Sequence, residues 1–308
     1  MKVAILGPGG VGGLLAGVLE RSGSEVILIA RDSTVAAIER DGLRVSSVMF
    51  GDFVAHPRAV TLLDEPVDAL IVATKAAGLD AALGRIACEP TIVLPLLNGL
   101  DHLVTLRERF APGSVLAGAI RIESDRPQPG VVVHTSPFLL VDMACVDASA
   151  GPAMQRLAGA LSQADVPVRM GWPVSDRSQA QVMWSKLVRL NALACTTSAY
   201  DKLLGEILAT PQLRADLVGA IEEASVVAQA EGADDVDPAT ALAELEAAHA
   251  TLGSSMQRDI AAGREPELDA IPGSVLRAAA RHGLACPTIE RLVTMIAERA
   301  GVPVPVSG

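Results

Sequence analysis

The first dozen residues constrain this chain more than any other stretch. Lys2-Val3-Ala4-Ile5-Leu6 is an apolar run of strand length that stops at Gly7-Pro8-Gly9-Gly10-Val11-Gly12. Val11–Arg21 then reads as a helix and Glu25–Ala30 as a second strand. A strand that feeds GxGxxG into a helix is the pattern of a dinucleotide-binding turn. Gly7 permits the tight turn, Gly9 lets the backbone approach a pyrophosphate, and Gly12 lets helix pack closely on strand. The amides that open the helix, Gly10 and Val11 among them, then face the phosphates with the positive end of the helix dipole behind them. The bland alternative is a glycine-rich turn without a ligand; the position between strand and helix favours the nucleotide. No leader peptide is expected, because the glycines interrupt the apolar stretch and no cleavage pattern follows.

The end of the second strand selects the cofactor. An acidic side chain there suits the ribose of NAD, whereas a 2′-phosphate requires a cation. Val26-Ile27-Leu28-Ile29-Ala30 ends at Arg31, whose guanidinium matches phosphate geometry, so NADP(H) is favoured. The adjacent Asp32 leaves open that the pair is mutual, or that an acid turns inward instead. Lys75 follows the apolar run Ala69–Thr74, at the end of a strand whose carboxyl edge would face the ligand crevice. Asn98-Gly99 follows the next run, Thr91–Leu96; it reads equally well as a ligand contact and as a turn.

Up to about residue 170 the chain alternates short β-branched runs with helical patterns, the signature of βαβ units. Further strands are expected at Val115–Ile122, Val131–His134, Phe138–Asp142 and Val166–Met170, with a helix over Gly151–Ala164. After Gly171-Trp172-Pro173 the patterns are helical: Val174–Cys195, Leu213–Glu231, Pro238–Ala250, Pro272–His282 and Pro287–Ala300. The expected architecture is an α/β Rossmann-like N-terminal domain over 1–172 plus an all-helical C-terminal domain over 173–308.

Within the helical half, Val182–Leu193 is apolar nearly all round when wound at about 100° per residue, and such a helix is buried. Lys186 and Arg189 are therefore cations that the interior must pair or expose into a cleft. A cleft lysine can donate a proton to a developing alkoxide; the competing reading is a lysine that snorkels outward.

The glycine turn, Thr74-Lys75, Asn98-Gly99, Pro129-Gly130-Val131-Val132-Val133-His134 and Trp184-Ser185-Lys186-Leu187 together resemble the ketopantoate reductase family. Ser254-Ser255-Met256-Gln257-Arg258-Asp259-Ile260 and Pro266-Glu267-Leu268-Asp269 extend the resemblance over almost the whole chain. The resemblance implies NADPH-dependent reduction of a 2-oxo acid, 2-dehydropantoate to pantoate. It implies Lys186 as proton donor and Glu267 as the acid that assists it and contacts the cofactor. Asn98 would touch both cofactor and substrate, and Ser255 would hold the substrate carboxylate. Gly7, Gly9, Gly10, Val11, Gly12, Arg31 and Lys75 would form the NADP-binding set. The chain departs from the family pattern where Leu190, Ala194 and Leu252 stand in place of asparagines. Those changes suit a less hydroxylated 2-oxo acid, with Arg189 as a candidate replacement carboxylate partner. A non-catalytic NADP-binding sensor is the alternative from another class.

Composition limits the partners. With 25 Lys and Arg against 36 Asp and Glu, the formal charge is −11, opposite to what a nucleic-acid surface needs. Two Trp, one Tyr and four Phe supply little stacking surface for bases. No apolar segment reaches the ~18 residues that a membrane helix requires. The scattered Cys88, Cys145, Cys195 and Cys286 indicate neither a zinc site nor a disulfide framework, which suits the cytoplasm. The five histidines show no ligand spacing, so no metal is expected. A homodimer formed through the apolar helical half is a further expectation.

Overall fold

The structure is a computed structural model that describes residues 1–171 and 178–306. It divides into two compact units: Met1–Leu97 with His102–Val182, and Asn98–Asp101 with Met183–Gly308. The expected boundary at residue 172 lies outside the described residues, as do Pro173 and Val174.

In chain order the first unit runs β1 (Lys2–Leu6), α1 (Gly10–Arg21), β2 (Glu25–Ile29), α2 (Asp32–Asp41), β3 (Leu43–Ser47), β4 (Phe53–Ala55), β5 (Arg58–Val60) and β6 (Ala69–Val72). It continues through α3 (Leu79–Leu83), β7 (Ile92–Pro95), α4 (His102–Arg109), β8 (Ala117–Arg121), β9 (Ser124–Gln128), β10 (Val131–His134), β11 (Leu140–Ala144), α5 (Gly151–Gln163) and β12 (Val168–Met170). The main sheet is entirely parallel, with strand order β5-β2-β1-β6-β7. Taken in chain order, these five strands are arranged third, second, first, fourth, fifth. Connections thus diverge to opposite sides after β1, and the crevice at the carboxyl ends of β1 and β6 is the topological switch point where such sheets bind ligands.

Strands buried on both faces need apolar residues at successive positions rather than alternation. That is why Val3, Ala4, Ile5 and Leu6 are all buried, as are Ala69, Leu70, Ile71 and Val72. α1 covers the sheet with Leu14, Leu15, Val18 and Leu19, packed in one cluster with Val3, Ile5, Val26 and Leu28. A second sheet, β4-β3-β10-β9, and a third, β12-β11-β8, complete the unit. Pro127 lies inside β9. β9 is an edge strand, where a missing N–H breaks no ladder.

The second unit is helical: α6 (Gln179–Tyr200), which begins in the first unit, then α7 (Leu204–Ala209), α8 (Pro211–Ala230), α9 (Pro238–Glu246), α10 (Ser255–Ala261), α11 (Ser274–Arg281) and α12 (Pro287–Ala300). Pro211, Pro238 and Pro287 each open a helix, where the missing N–H has no intrahelical acceptor anyway. Pro272 differs from expectation: it sits within a five-residue π-turn, Asp269–Gly273, and α11 starts only at Ser274. Among the described residues, no helix is long and apolar enough to cross a membrane.

Candidate active site

In the first unit the glycine turn stands at the switch point. Gly7 takes φ +96°, a conformation that side chains avoid, and a Cβ there would meet the Ala73 carbonyl oxygen at 2.9 Å. Gly10 and Gly12 are also demanded by packing, since their Cβ atoms would lie 2.3 Å from Ser124 O and 2.2 Å from Gly7 O. Gly9 is different. Its φ is −76°, and the nearest atom to a Cβ there would be Ala73 O at 3.9 Å. The protein's own packing does not require a glycine at 9, which leaves room for a close approach on its open side.

Gly9 is also the N-cap of α1 and offers no side-chain cap. The amides of Gly10, Val11 and Gly12 lie in the first turn, where α-helix geometry provides no intrahelical acceptor. An uncapped twelve-residue helix with a cleared approach fits a pyrophosphate. Arg31, at the end of the second strand segment, is the exposed N-cap of α2, and its side chain makes no ion pair with Asp32 or any other described carboxylate. The guanidinium is thereby available for a 2′-phosphate. Lys75 is exposed two residues beyond Ala73, at the start of a short 3-10 turn, Ala76–Gly78.

In the second unit the structure joins three residues that lie far apart in sequence. The Lys186 Nζ donates to Asn98 Oδ1 at 2.8 Å, and Asn98 Nδ2 donates to Glu267 Oε2 at 2.9 Å. Asn98 uses both ends of its amide, so the carboxylate fixes which way the amide points and the amide in turn aims an acceptor at the ammonium. Each of the three is half-buried, so the amine is neither sealed in the core nor carried out to bulk solvent. The Asn98-Gly99 pair is both a turn and a contact: Gly99 takes φ +84° while the Asn98 side chain makes the two bonds.

Ser255 is the first residue of α10 and is half-buried; its hydroxyl makes no hydrogen bond to another described residue. Its neighbour Ser254 is the buried N-cap. Ser254 Oγ accepts from Gln257 N at 3.0 Å and from Thr197 Oγ1 at 2.8 Å. Thr197 lies eleven residues after Lys186 on α6. At 1.5 Å rise and about 100° per residue, it is on nearly the same face, roughly 16 Å further along. Leu190 and Leu193 lie between them on that face. No hydrogen bond joins Ser255 to the Lys186–Asn98–Glu267 trio. Arg189, the candidate replacement for a carboxylate partner, is engaged elsewhere: its Nε lies 3.3 Å from Glu244 Oε2 of α9.

Two family models cover most of the chain. The one described as ketopantoate reductase PanE/ApbA matches residues 3–142, and the one described as ketopantoate reductase PanE/ApbA C terminal matches residues 179–300. The chain belongs to the ketopantoate reductase family. The 2-dehydropantoate 2-reductase of Mycobacterium tuberculosis H37Rv is 33% identical to it over 98% of both chains. The crystal structure of a PanE/ApbA family ketopantoate reductase from Ralstonia eutropha JMP134 matches with a TM-score of 0.84, 27% identity and coverage of 98% of this chain and 99% of that one. D-mandelate dehydrogenase, solved with NADH and anilino(oxo)acetate, shares the fold at a TM-score of 0.87 and 24% identity over 98% of this chain and 99% of its own. As a ketopantoate reductase family member the chain is an NADP-dependent oxidoreductase acting on CH–OH groups, of the class that interconverts 2-oxo and 2-hydroxy acids.

The trio and the glycine turn were both visible in sequence as candidates, whereas the ion pairs beside Asn98 and Glu267 were not. Asp101 and Asp269 both accept from Arg277, across up to 176 positions; Asp269 lies in the Pro266-Glu267-Leu268-Asp269 stretch, but no sequence pattern marks Asp101 or Arg277.

Proposed function

We propose that the protein reduces 2-dehydropantoate to pantoate, with Lys186 as the proton donor. The observation that carries this reading is the hydrogen-bonded chain from Lys186 through Asn98 to Glu267. Gly9, the first-turn amides of Gly10, Val11 and Gly12, Arg31 and Lys75 would hold NADPH, with Asn98 and Glu267 contributing contacts at its reactive end. When bound, NADPH supplies the hydride that C2 of a 2-oxo acid accepts. The ketone oxygen gains negative charge as C2 is reduced, and the Lys186 ammonium delivers the proton that converts it to a hydroxyl. The resulting amine is reprotonated from solvent before the next turnover. Asn98 and Glu267 keep the ammonium aimed, which matters because a proton donor acts only within hydrogen-bond reach of its acceptor. Ser255 would accept the substrate carboxylate into the α10 N-terminal turn.

A second reading differs only in substrate. The face of α6 between Lys186 and Thr197 carries Leu190 and Leu193, with Ala194 at its margin and Leu252 near Ser255 in sequence; Leu193 and Ala194 are buried and Leu190 and Leu252 half-buried. An apolar wall cannot reward hydroxyl groups as an amide-lined one does, which favours a less hydroxylated 2-oxo acid.

The test is NADPH oxidation with 2-dehydropantoate beside simpler branched 2-oxo acids. Lys186→Ala should lower kcat by about 10²- to 10⁴-fold on whichever substrate is best. Near-normal turnover by that variant would remove Lys186 from the mechanism, and absence of turnover across the whole panel would favour a non-catalytic NADP-binding role. Arg31→Ala should raise the Kd for NADPH by at least about tenfold, the scale of one lost charge-assisted contact, and leave that for NADH unchanged. Equal effects on both would show that Arg31 does not read the 2′-phosphate.

A further inference from the structure

We infer that Arg277 is a positioning residue for this reaction: it clamps the loop that carries Asn98 against the turn that carries Glu267. The inference rests on the reading of Lys186, Asn98 and Glu267 given above. Asn98 belongs to no helix or strand, so its placement depends on what grips the loop Asn98–Asp101. Besides the two bonds of the Asn98 side chain itself, two further contacts tie the loop to the second unit. Gly99 lies so close to the π-turn Asp269–Gly273 that a Cβ on it would be 1.9 Å from Ala270 O. The other contact is Arg277 on α11.

Every donor atom of the Arg277 guanidinium is engaged. Nη2 and Nε donate to Asp101 Oδ2 at 2.6 and 3.2 Å. Nη1 donates to Asp269 Oδ1 at 2.7 Å and to Val306 O at 3.4 Å, and Nη2 also donates to Asp269 O at 2.9 Å and Asp269 Oδ2 at 3.3 Å. Asp101 is three residues from Asn98, and Asp269 is two residues from Glu267. One planar cation thus fixes the separation of the two short segments whose side chains meet at the Asn98–Glu267 bond. A guanidinium can span two carboxylates in this way because its donors are set in a rigid fork; a lysine ammonium, a point charge on a flexible stem, does not reproduce that geometry. Burial opposes the charge, yet the hydrogen bonds to Asp269 and Asp101 outweigh it and raise the pKa above the usual arginine value, so the clamp stays charged. None of these atoms is one of the trio, so the role is exerted through Asn98.

If the clamp were released, the Asn98-Gly99 loop would lose its charged grip and keep only its backbone packing and the bonds of the Asn98 side chain itself. Misplacing a catalytic group by about 1 Å costs on the order of a hundredfold. Arg277→Met should therefore lower kcat by about ten- to a hundredfold with little change in the KM for the 2-oxo acid. Arg277→Lys should not restore the rate. The deciding measurement is a cycle with Asn98→Ala, read by steady-state NADPH oxidation with the best 2-oxo acid of the panel. Arg277→Met should add almost nothing in the Asn98→Ala background, because both changes remove the same aimed amide. Losses that multiply, a rise in KM alone, or full activity in Arg277→Lys would overturn the inference. Should Arg277→Met fail to fold, Asp101→Asn removes the loop's charged grip while keeping its shape, and the same non-additivity with Asn98→Ala is expected. Full activity of Asn98→Ala on its own would instead sink the reading of the trio, and this inference with it; a strong effect of Asn98→Ala with multiplicative losses would sink only the role of Arg277.

Discussion

Single residues decide whether the glycine turn is a fold element or a binding element. Gly7, Gly10 and Gly12 are held to glycine by backbone strain or by atoms of the protein itself, so replacing them damages structure and says little about ligands. Gly9 separates the two effects, with an ordinary φ and nothing within 3.8 Å of an added methyl. Gly9→Ala should change the thermal midpoint little, because alanine's restriction of the unfolded chain is offset by its poorer fit at the N-cap of α1. The same variant should weaken NADPH binding by about tenfold or more, roughly 1.4 kcal/mol. Fluorescence titration beside thermal unfolding reads both quantities, and unaltered NADPH affinity would mean that nothing approaches Gly9. The GxGxxG spacing was legible in sequence, but not this division of labour among its glycines. It depends on Ala73 and Ser124, which fold against Gly7 and Gly10 from 66 and 114 positions away.

Elements were legible in proportion to their apolar periodicity. β1, β10 and α12 lie where the sequence patterns place them, and α1, α5, β6 and β7 lie within a few residues of the expected bounds. The short polar helices were not legible. α2 buries only Thr34 and Ile38, and α10 buries Met256 alongside two polar residues, Gln257 and Asp259; neither presents an apolar stripe long enough to stand out from a loop. α10 is held instead by its cap. Ser254 Oγ takes the amide of Gln257 and the hydroxyl of Thr197, so the capping residue also ties α10 to α6. Ser254→Ala should destabilise the protein by about 1 kcal/mol, the usual scale for a lost cap. It should also raise the KM for the 2-oxo acid, since Ser255 opens the same turn. Chemical denaturation together with substrate kinetics checks both effects, and a stability loss without any rise in KM would detach Ser255 from substrate binding.

At the scale of the whole molecule, stability carries a titration that the sequence did not signal. His134 is 1% exposed, between Ser47 Oγ at 2.8 Å from Nδ1 and Ser136 Oγ at 3.1 Å from Nε2. Burial pushes this imidazole below the ordinary histidine value of 6.5, only partly offset by its hydrogen-bonded surroundings at Phe138. Below pH 6.5 the unfolded chain therefore takes up a proton that the folded state refuses. Its contribution is complete above that pH and is lost as pH falls from 6.5 toward the depressed folded value. Urea midpoints should drop between pH 7.5 and 5.5, and the drop should be smaller in His134→Gln; equal drops in both would show that the proton is taken up elsewhere. The sequence by itself determined the parallel α/β half, the helical half, the glycine turn between strand and helix and the chemical types of the candidate site, because apolar periodicity and glycine spacing are local and each residue type carries its own chemistry. Only the tertiary structure decided that Lys186, Asn98 and Glu267 form one hydrogen-bonded chain, that Arg189 belongs to Glu244, and that Arg277 grips both segments beside Asn98 and Glu267. Those pairings join segments that are remote along the chain, and hydrogen bonds of about 3 Å between such segments are set by how helices and turns pack, which no local pattern encodes.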